Sequence, residues 1–244
     1  MSQILLFSAG LDSFPAWHYL GRPPCLYFDI RHRYRHQELA AITALSERCG
    51  VDVEVSTELD LSAWEAADAI IPMRNVYFAM LAANRAVTIW CVGVKGDATA
   101  DKSPQAFADI SKFVSRFAGG DVRMDSPFWH KTKTEIIAWY LNAGLPADDL
   151  LLTFSCSRED GAGEHCGRCS SCLRRWISLT NNGIDASFEH APWAWDRVSQ
   201  FYVAAMSDGT YPEHRAIEFW RAMASVGITP TESTALSAAE GDHA

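Results

Sequence analysis

The sequence lacks the features that would place this chain in a membrane or outside the cell. No window of its 244 residues approaches the run of about eighteen consecutive apolar residues that a membrane-spanning helix needs. The first residues carry neither a basic segment nor a long apolar run, so they do not predict a secretory signal. We therefore expect a cytoplasmic protein without membrane contacts.

An excess of positive charge is also missing. The chain has 21 Lys and Arg residues against 30 Asp and Glu residues, for a formal net charge of −9. This balance disfavours a broad basic face for nucleic acid, although it is compatible with a local basic pocket. Internal repeats and low-complexity tracts are absent too, which excludes a repeat array.

What the sequence does contain is a regular alternation of short apolar runs and amphipathic stretches over its first 150 residues. Hydrophobic residues make up 48% of the chain, enough for a substantial core. Strands are predicted at residues 4–7, 25–29, 52–56 and 88–94. Helices are predicted at residues 13–20, 36–49, 75–87, 104–117 and 134–143, and later at 173–179 and 212–226. The first part of this pattern predicts an α/β fold, with a Rossmann-like parallel sheet flanked by helices.

The stretch LLFSAGLDS, residues 5 to 13, runs an apolar strand into a turn of small and polar residues. Such a turn aims several backbone N–H groups at one point, beside the positive end of a helix dipole. It therefore predicts a phosphate site, with Asp12 as a ligand for Mg²⁺. An ordinary turn capped by Asp12 or Ser13 is the alternative. The predicted phosphate-binding residues are Ser8, Ala9, Gly10, Leu11, Asp12 and Ser13.

Four of the seven cysteines crowd into a short stretch with the spacing of metal ligands, C-x(9)-C-x-x-C-x-x-C. Four thiolates suit a closed tetrahedral zinc site, in which the metal is structural. An iron–sulfur cluster, or a redox pair formed by one C-x-x-C, is the alternative. We expect His165 to be a neighbour of the metal shell. Its imidazole in place of one cysteine is the alternative. The predicted ligands are Cys156, Cys166, Cys169 and Cys172.

These two features, in this order along the chain, resemble the QueC (7-cyano-7-deazaguanine synthase) family of PP-loop ATP pyrophosphatases. Three further stretches between them fit the same family. IPMRNVYFAMLAANRA resembles its P-x-R-N helix, SPFWHKTKTEII resembles its K-x-E segment, and TFSCSRE leads into the cysteine loop as it does there. The resemblance covers roughly residues 3 to 180.

The resemblance implies a PP-loop (HUP-type) sheet domain with a C-terminal helical appendage that binds zinc. We expect the ATP-binding domain over residues 1–150, the zinc-binding region over 151–230 and a disordered tail over 231–244. It also implies an enzyme that uses ATP, Mg²⁺ and Zn²⁺, and it is the basis for expecting a homodimer.

The chemistry implied by the resemblance is the conversion of 7-carboxy-7-deazaguanine and ammonia to a nitrile, through an adenylated acid and an amide. Asp12, Ser13 and Lys133 would be catalytic, with Lys133 placing positive charge near the departing pyrophosphate. Arg74 and Asn75 would line the nucleotide site. A solvent-exposed helix lysine and a simple helix cap are the respective alternatives.

Two segments depart from the family pattern, and both concern the substrate. The family follows its second strand with F-D-Y-G-Q-R-H, whereas this chain reads FDIRHRYRH. After the fourth strand, a D-Y-S-G-Y-P-D-C-R segment is replaced by GDATADKSPQAF, which keeps Asp97 or Asp101. We expect Arg31 and Arg33 of the first segment and Asp97 of the second to bind the acid. The basic run also suits an acidic segment of a protein partner, and its histidines, His32 and His36, suit acceptance of a proton from an attacking amine. A solvated helix start is the alternative.

Three alternatives stay open at this point. In the first, the enzyme stops at the amide, or joins the acid to an amine other than ammonia, including one on a macromolecule. A second alternative is another PP-loop enzyme, such as one that modifies tRNA. The third is a degenerate assembly subunit without catalytic activity, which is supported by Ala9 in place of the motif's first glycine and by the loss of the family's substrate segment.

Overall fold

The computed structural model describes residues 2–97, 99–158 and 164–229 of the chain. Two compact units divide between residues 161 and 162. The predicted tail at 231–244 lies outside the described residues, and the domain boundaries predicted from the sequence stay predictions.

The first unit is built on a parallel sheet of five strands in the order β3-β2-β1-β4-β5. The strands are β1 (Gln3–Leu6), β2 (Cys25–Phe28), β3 (Val53–Ser56), β4 (Thr88–Trp90) and β5 (Arg123–Asp125). The helices of this unit are α1 (Ser13–Tyr19), α2 (Arg35–Cys49), α3 (Arg74–Ala82), α4 (Pro104–Ala118), α5 (Lys133–Asn142) and α6 (Ala147–Leu151). The expected Rossmann-like parallel sheet flanked by helices is confirmed.

The strand order places a topological switch point between β1 and β4. From β1 the sheet grows in one direction through β2 and β3, and in the other through β4 and β5. Open α/β sheets bind their ligands in the crevice at the carboxyl ends of the two strands that flank such a point. The loops that follow β1 and β4 are therefore the first places to look for a site.

The core beneath this edge is apolar on both faces of the sheet. Leu5 and Leu26, in the two central strands, are completely buried, and Phe107 of α4 and Ile89 of β4 pack into one cluster with Leu26. Burial on both faces explains why β1 and β2 read as continuous apolar runs instead of alternating ones. The rigid sheet thus fixes where the strands end and where their loops begin.

One strand was missing from the sequence-based prediction. β5 spans three residues, and two of them, Arg123 and Asp125, are charged. It lies at the edge of the sheet and pairs with β4 on one side. A strand so short and polar gives no periodic signal, because edge strands are stabilised by pairing more than by burial.

The second unit is helical, with α7 (Ser170–Thr180), α8 (Val203–Ser207) and α9 (Glu213–Ser225). Its core includes Trp176 of α7 and Phe219 and Met223 of α9, surrounded by partly buried aromatic residues from the Trp-rich segment. That segment forms a 3-10 turn at Pro192–Ala194 and a π turn at Val198–Tyr202. In the described part of the chain, no helix has the length and apolar character to cross a membrane.

Candidate nucleotide site and metal centre

The loop between β1 and α1 is tightly organised by its own hydrogen bonds. The N–H of Gly10 donates to Ser13 Oγ at 3.0 Å, and the N–H of Phe14 donates to the Gly10 carbonyl at 3.1 Å. The carbonyl of Ala9 accepts from the N–H of Phe154 at 2.9 Å. Ala9 has a left-handed backbone with φ +52°, the conformation that glycine adopts most easily.

Gly10 keeps open the space between the two hydroxyls of this loop. A Cβ at this position would lie 3.3 Å from Ser8 Oγ and 3.9 Å from Ser13 Oγ. A side chain at this position would therefore crowd the Ser8 hydroxyl. That this loop binds a phosphate stays a prediction.

Asp12 is not used as a helix cap. It stands at the N-cap of α1, but its side chain makes no capping hydrogen bond within the described residues. Its Oδ2 instead pairs with Lys133 Nζ, from the start of α5. Its Oδ1 is buried and has no hydrogen-bond partner in the part of the chain that the structure describes. An unused carboxylate oxygen beside the predicted phosphate loop fits a divalent cation such as Mg²⁺.

The start of α5 is fixed by a reciprocal capping box. The N–H of Glu135 donates to Thr132 Oγ1 at 3.2 Å, and the N–H of Thr132 donates to Glu135 Oε2 at 2.7 Å. This makes Lys133 the first residue of the helix. The structure therefore brings together Asp12 and Lys133, two of the predicted catalytic residues, which lie far apart in the sequence.

The loops that follow β4 and β5 are joined to each other. Val94 bridges to Phe128, and the N–H of Lys95 donates to the carbonyl of Lys131 at 2.8 Å. Gly93 allows the contact, because a Cβ there would lie 2.1 Å from the Trp129 ring. The segment after β4 is in this way held beside the segment that leads into Lys133.

The segment after β4 carries an ion pair and a second anchor. Lys102 Nζ lies 3.2 Å from Asp97 Oδ2, which also accepts from the N–H of Val94 at 3.3 Å. Asp101 Oδ2 accepts from the N–H of Asn75 at 2.9 Å, and the Asn75 side-chain amide donates to the Asp101 carbonyl at 3.1 Å. Asn75 is thus the link between the start of α3 and this segment. The residues singled out from the sequence did not include Lys102.

Arg74, the other predicted nucleotide contact on α3, faces aromatic groups. Its guanidinium lies 6.0 Å from the centre of the Phe78 ring. It also lies close enough to Tyr34 to counteract the rise in that phenol's pKa, which burial and the nearby Glu38 carboxylate bring to about 12. A nucleotide-binding role for Arg74 and Asn75 stays a prediction.

The basic run after β2 is largely neutralised by acidic residues of the same unit. Arg33 donates from its backbone N–H and from Nε to the two carboxylate oxygens of Glu65, at 2.9 and 2.8 Å. Arg35 pairs with Asp29 at 3.0 Å, and His32 Nε2 lies 3.1 Å from Glu38 Oε2.

Arg31 differs from the other members of this run. Its side chain is 62% exposed, and its nearest acidic partner, Asp60, is 3.5 Å away. It has a left-handed backbone with φ +60° and stands third after Phe28, where the F-D-Y-G pattern has glycine. Substrate contacts by Arg31, Arg33 and Asp97 stay predictions.

The four predicted metal ligands come together in space. The sulfur atoms of Cys156, Cys166, Cys169 and Cys172 all lie within 4.8 Å of one another. The sulfurs of Cys166 and Cys172 are 3.8 Å apart. Zinc–sulfur bonds of about 2.3 Å in a tetrahedron place two sulfurs about 3.8 Å apart, so the cluster has the dimensions of a zinc site.

Backbone groups hold these thiols in a form suited to a cation. The N–H of Arg168 donates to Cys166 Sγ at 3.3 Å, and the N–H of Cys172 donates to Cys169 Sγ at 3.4 Å. Cys169 is the N-cap of α7, whose dipole favours a thiolate there. Such N–H···S contacts stabilise the charged thiolates that bind zinc.

The surroundings of the cluster are tightly packed. Gly167, between two of the cysteines, has φ +71°, and a Cβ there would lie 1.7 Å from the His190 carbonyl oxygen. His165 is buried, which lowers its pKa to about 3, and it does not belong to the group of four. Arg175 is also buried, which lowers its pKa to about 10, and it adds positive charge near Cys172.

Comparisons with known proteins agree with these features. The family model described as queuosine biosynthesis protein QueC matches residues 29–183, more than half of the chain. The 7-cyano-7-deazaguanine synthase of Marinobacter nauticus is 24% identical over 229 residues, which cover 81% of this chain and 99% of the relative. The enzyme of the same name from Brucella ovis is 27% identical over 237 residues, covering 82% and 98%.

Among solved structures, a predicted subunit of a tRNA methyltransferase from Methanocaldococcus jannaschii covers 62% of this chain and is itself covered to 92%. The TM-score is 0.36 at 14% sequence identity. This similarity is too low to support an inference about either chain from the other.

Proposed function

Because this chain belongs to the QueC family of PP-loop enzymes, we propose that it is an ATP-dependent C–N ligase acting on a deazapurine acid. The acid of the family's reaction is 7-carboxy-7-deazaguanine, and the nitrogen donor is ammonia or another amine. The observation that carries the proposal is the contact between Asp12 and Lys133, beside the loop that we propose to hold the phosphates. A degenerate nucleotide-binding subunit would not need to keep this pair.

In the proposed reaction, the loop of residues 8–13 holds the phosphates of ATP with its N–H groups and hydroxyls. A carboxylate oxygen of the acid attacks the α-phosphorus, the bond to the bridging oxygen breaks, and pyrophosphate leaves. Lys133 would stabilise the negative charge that grows on that leaving group. Asp12 orients the Lys133 ammonium, and its unused oxygen would hold Mg²⁺, which neutralises part of the phosphate charge.

The nitrogen donor then attacks the acyl carbon of the adenylate, and AMP leaves to give an amide. Conversion of that amide to a nitrile removes the amide oxygen, which requires a second activation by ATP. An enzyme that stops at the amide consumes one ATP for each acid. The stoichiometry of pyrophosphate release therefore distinguishes the two end products.

The cysteine cluster supplies structure in this proposal, not chemistry. Four thiolates fill the coordination shell of a tetrahedral zinc ion, which leaves no position for substrate. We expect one zinc per chain, and we expect replacement of Cys172 by Ser to reduce folding as well as turnover. Metal analysis of the purified protein tests this. Iron together with visible absorbance would show that the site holds an iron–sulfur cluster instead of zinc.

The central experiment incubates the purified protein with ATP, Mg²⁺, ammonium and 7-carboxy-7-deazaguanine. Release of pyrophosphate that depends on the acid, with an amide or nitrile seen by mass spectrometry, supports the proposal. The same assay without ammonium, followed by a search for an acyl-adenylate, identifies the first step. No pyrophosphate with this acid would exclude the deazapurine ligase.

A further inference from the structure

The loop after β4 contains an ion pair that the predicted phosphate loop does not explain. Lys102 Nζ and Asp97 Oδ2 are 3.2 Å apart, and their side chains are 25% and 11% exposed. A half-shielded pair of this kind is better defined than an ordinary surface salt bridge, which water weakens.

The pair stands on the opposite side of the switch point from the phosphate loop. The phosphate loop follows β1, and the segment with Asp97 and Lys102 follows β4, the neighbouring strand. Hydrogen bonds hold that segment at both ends, from Lys95 to Lys131 on one side and from Asn75 to Asp101 on the other. By the strand-order rule, the loop after β4 borders the crevice in which a second substrate would meet ATP, and Lys102 belongs to this anchored loop.

Adenylation brings two anions together, since the carboxylate of the acid must approach the α-phosphate. A cation on the acid's side of the crevice would offset this repulsion. Lys133 pairs with Asp12 on the phosphate side, and Arg33 and Arg35 are bound to Glu65 and Asp29. The ammonium of Lys102 has three N–H donors. One of them contacts Asp97, and the others can donate to a carboxylate of the substrate.

We propose that Lys102 binds the carboxylate of the acid substrate, and that Asp97 is the partner that positions its ammonium. This inference deepens the proposed function and rests on it. It makes Lys102 a determinant of which acids are accepted, because its ammonium marks where the acid group must lie. It also gives Asp97 a role through Lys102 instead of through direct substrate contact.

Binding and turnover of Lys102→Met test the inference, with Lys95→Met as the matched control. Lys95 is an exposed lysine on the same loop. Calorimetry with 7-carboxy-7-deazaguanine, in the presence of a non-hydrolysable ATP analogue, gives the affinity for the acid. We expect Lys102→Met to weaken that affinity and to raise the KM for the acid at least about tenfold, since a charged hydrogen bond is lost. The affinity for the ATP analogue should change less than about twofold, and Lys95→Met should match the wild type.

A second variant tests whether Lys102 contacts the acid or whether the Lys102–Asp97 pair only stabilises the loop. Asp97→Asn keeps an oxygen for the Val94 N–H but removes the charge that positions the Lys102 ammonium. If Lys102 binds the acid, this variant should weaken binding of the acid, but less than Lys102→Met does, and should leave the affinity for the ATP analogue unchanged. If the pair merely fastens the loop, both variants should lose affinity for acid and ATP analogue alike, and that result overturns the inference.

Failure of the inference and failure of the proposed function give different results. Wild-type protein that binds and turns over the acid, with Lys102→Met unchanged in both, overturns the role of Lys102 and leaves the ligase in place. Wild-type protein that neither binds nor turns over the acid overturns the deazapurine ligase, and the inference falls with it.

Discussion

Two loops leave the same edge of the sheet, one after β1 and one after β2, and they use their charges in opposite ways. After β1, Asp12 keeps a buried oxygen that has no hydrogen-bond partner within the described residues. After β2, the guanidinium groups of Arg33 and Arg35 are held by Glu65 and Asp29. The loop with fewer charges in the sequence is therefore the one that keeps a charged oxygen without a partner among the described residues. The number of charges in a segment does not show which charges are available to a ligand, because the neutralising partners come from other segments.

The largest effect is expected when the loop after β1 loses its carboxylate. Asp12→Asn should lower acid-dependent pyrophosphate release by about 10²–10³-fold, because the charge that orients Lys133 and attracts a cation is gone. The fold should be retained, since no core volume changes. The exposed Asp109, which pairs with Lys112 on the surface of α4, provides the control as Asp109→Asn. Normal turnover by Asp12→Asn would reduce the first loop to an ordinary turn.

The second loop should respond in stability instead. Arg33→Met leaves the Glu65 carboxylate, whose side chain is 7% exposed, without its main partner, and should lower the free energy of unfolding by about 2 kcal/mol. Chemical denaturation measures this change. The double variant with Glu65→Gln should recover much of the loss, because the buried negative charge is removed as well. A selective rise in the KM for the acid at unchanged stability would instead support the substrate role of Arg33.

A smaller effect is expected from pH, which should change stability through a histidine packed between α1 and α5. Helix α1 follows Asp12, and helix α5 begins with Lys133. Burial, aided by the nearby Arg22, lowers the pKa of His18 to about 4, and its ring lies 5.5 Å from that of Tyr140. Between about pH 6.5 and pH 4 the unfolded chain binds a proton at this residue that the folded chain does not. The free energy of unfolding should therefore fall as the pH falls through this window. His18→Gln should flatten this slope in denaturation curves, and an unchanged slope would assign it to other groups.

The smallest effect concerns what the two loops share, a non-glycine residue with a left-handed backbone at Ala9 and Arg31. This conformation costs an L-residue about 1–2 kcal/mol, and the greater freedom of glycine in the unfolded chain offsets about half of that. Ala9→Gly and Arg31→Gly should each raise the free energy of unfolding by about 0.5 kcal/mol. Thermal denaturation can resolve the change. A clear loss of stability in one variant would show that its side chain contributes more than the strain costs.

Much of the fold was predictable because the signals were local. The central strands are apolar throughout, and Gly50 ends α2 with φ +71°, as its position after Cys49 predicts. β5 could not be predicted, because three residues with two charges at a sheet edge carry no periodicity. The cysteine cluster was predictable from spacing, since the ligands of one metal must be close in space.

The candidate nucleotide site was predictable in part. The loop of residues 8–13 is a local turn that the sequence shows, but the contact between Asp12 and Lys133 depends on the tertiary fold, and the resemblance implied only that both residues are catalytic. The neutralisation of Arg33 by Glu65 had no sequence signal, because the two residues meet only once the segment after β3 folds over β2's loop. Lys102 was missed for the same reason, since the position of its segment is set by anchors at Asn75 and Lys131 that form only in the tertiary fold.

The switch point between β1 and β4 also sets the order in which the site can be built during folding. Leu5 of β1 pairs with Cys25 on one side and with Trp90 on the other. Closing the longer loop costs more chain entropy, so the β1–β2 pair can form well before β4 arrives. During synthesis on the ribosome, only the β1 side of the switch point is present until β4 (Thr88–Trp90) has been made. We therefore expect the proposed nucleotide site to be completed late in folding, although residues 8–13 are among the first to be synthesised.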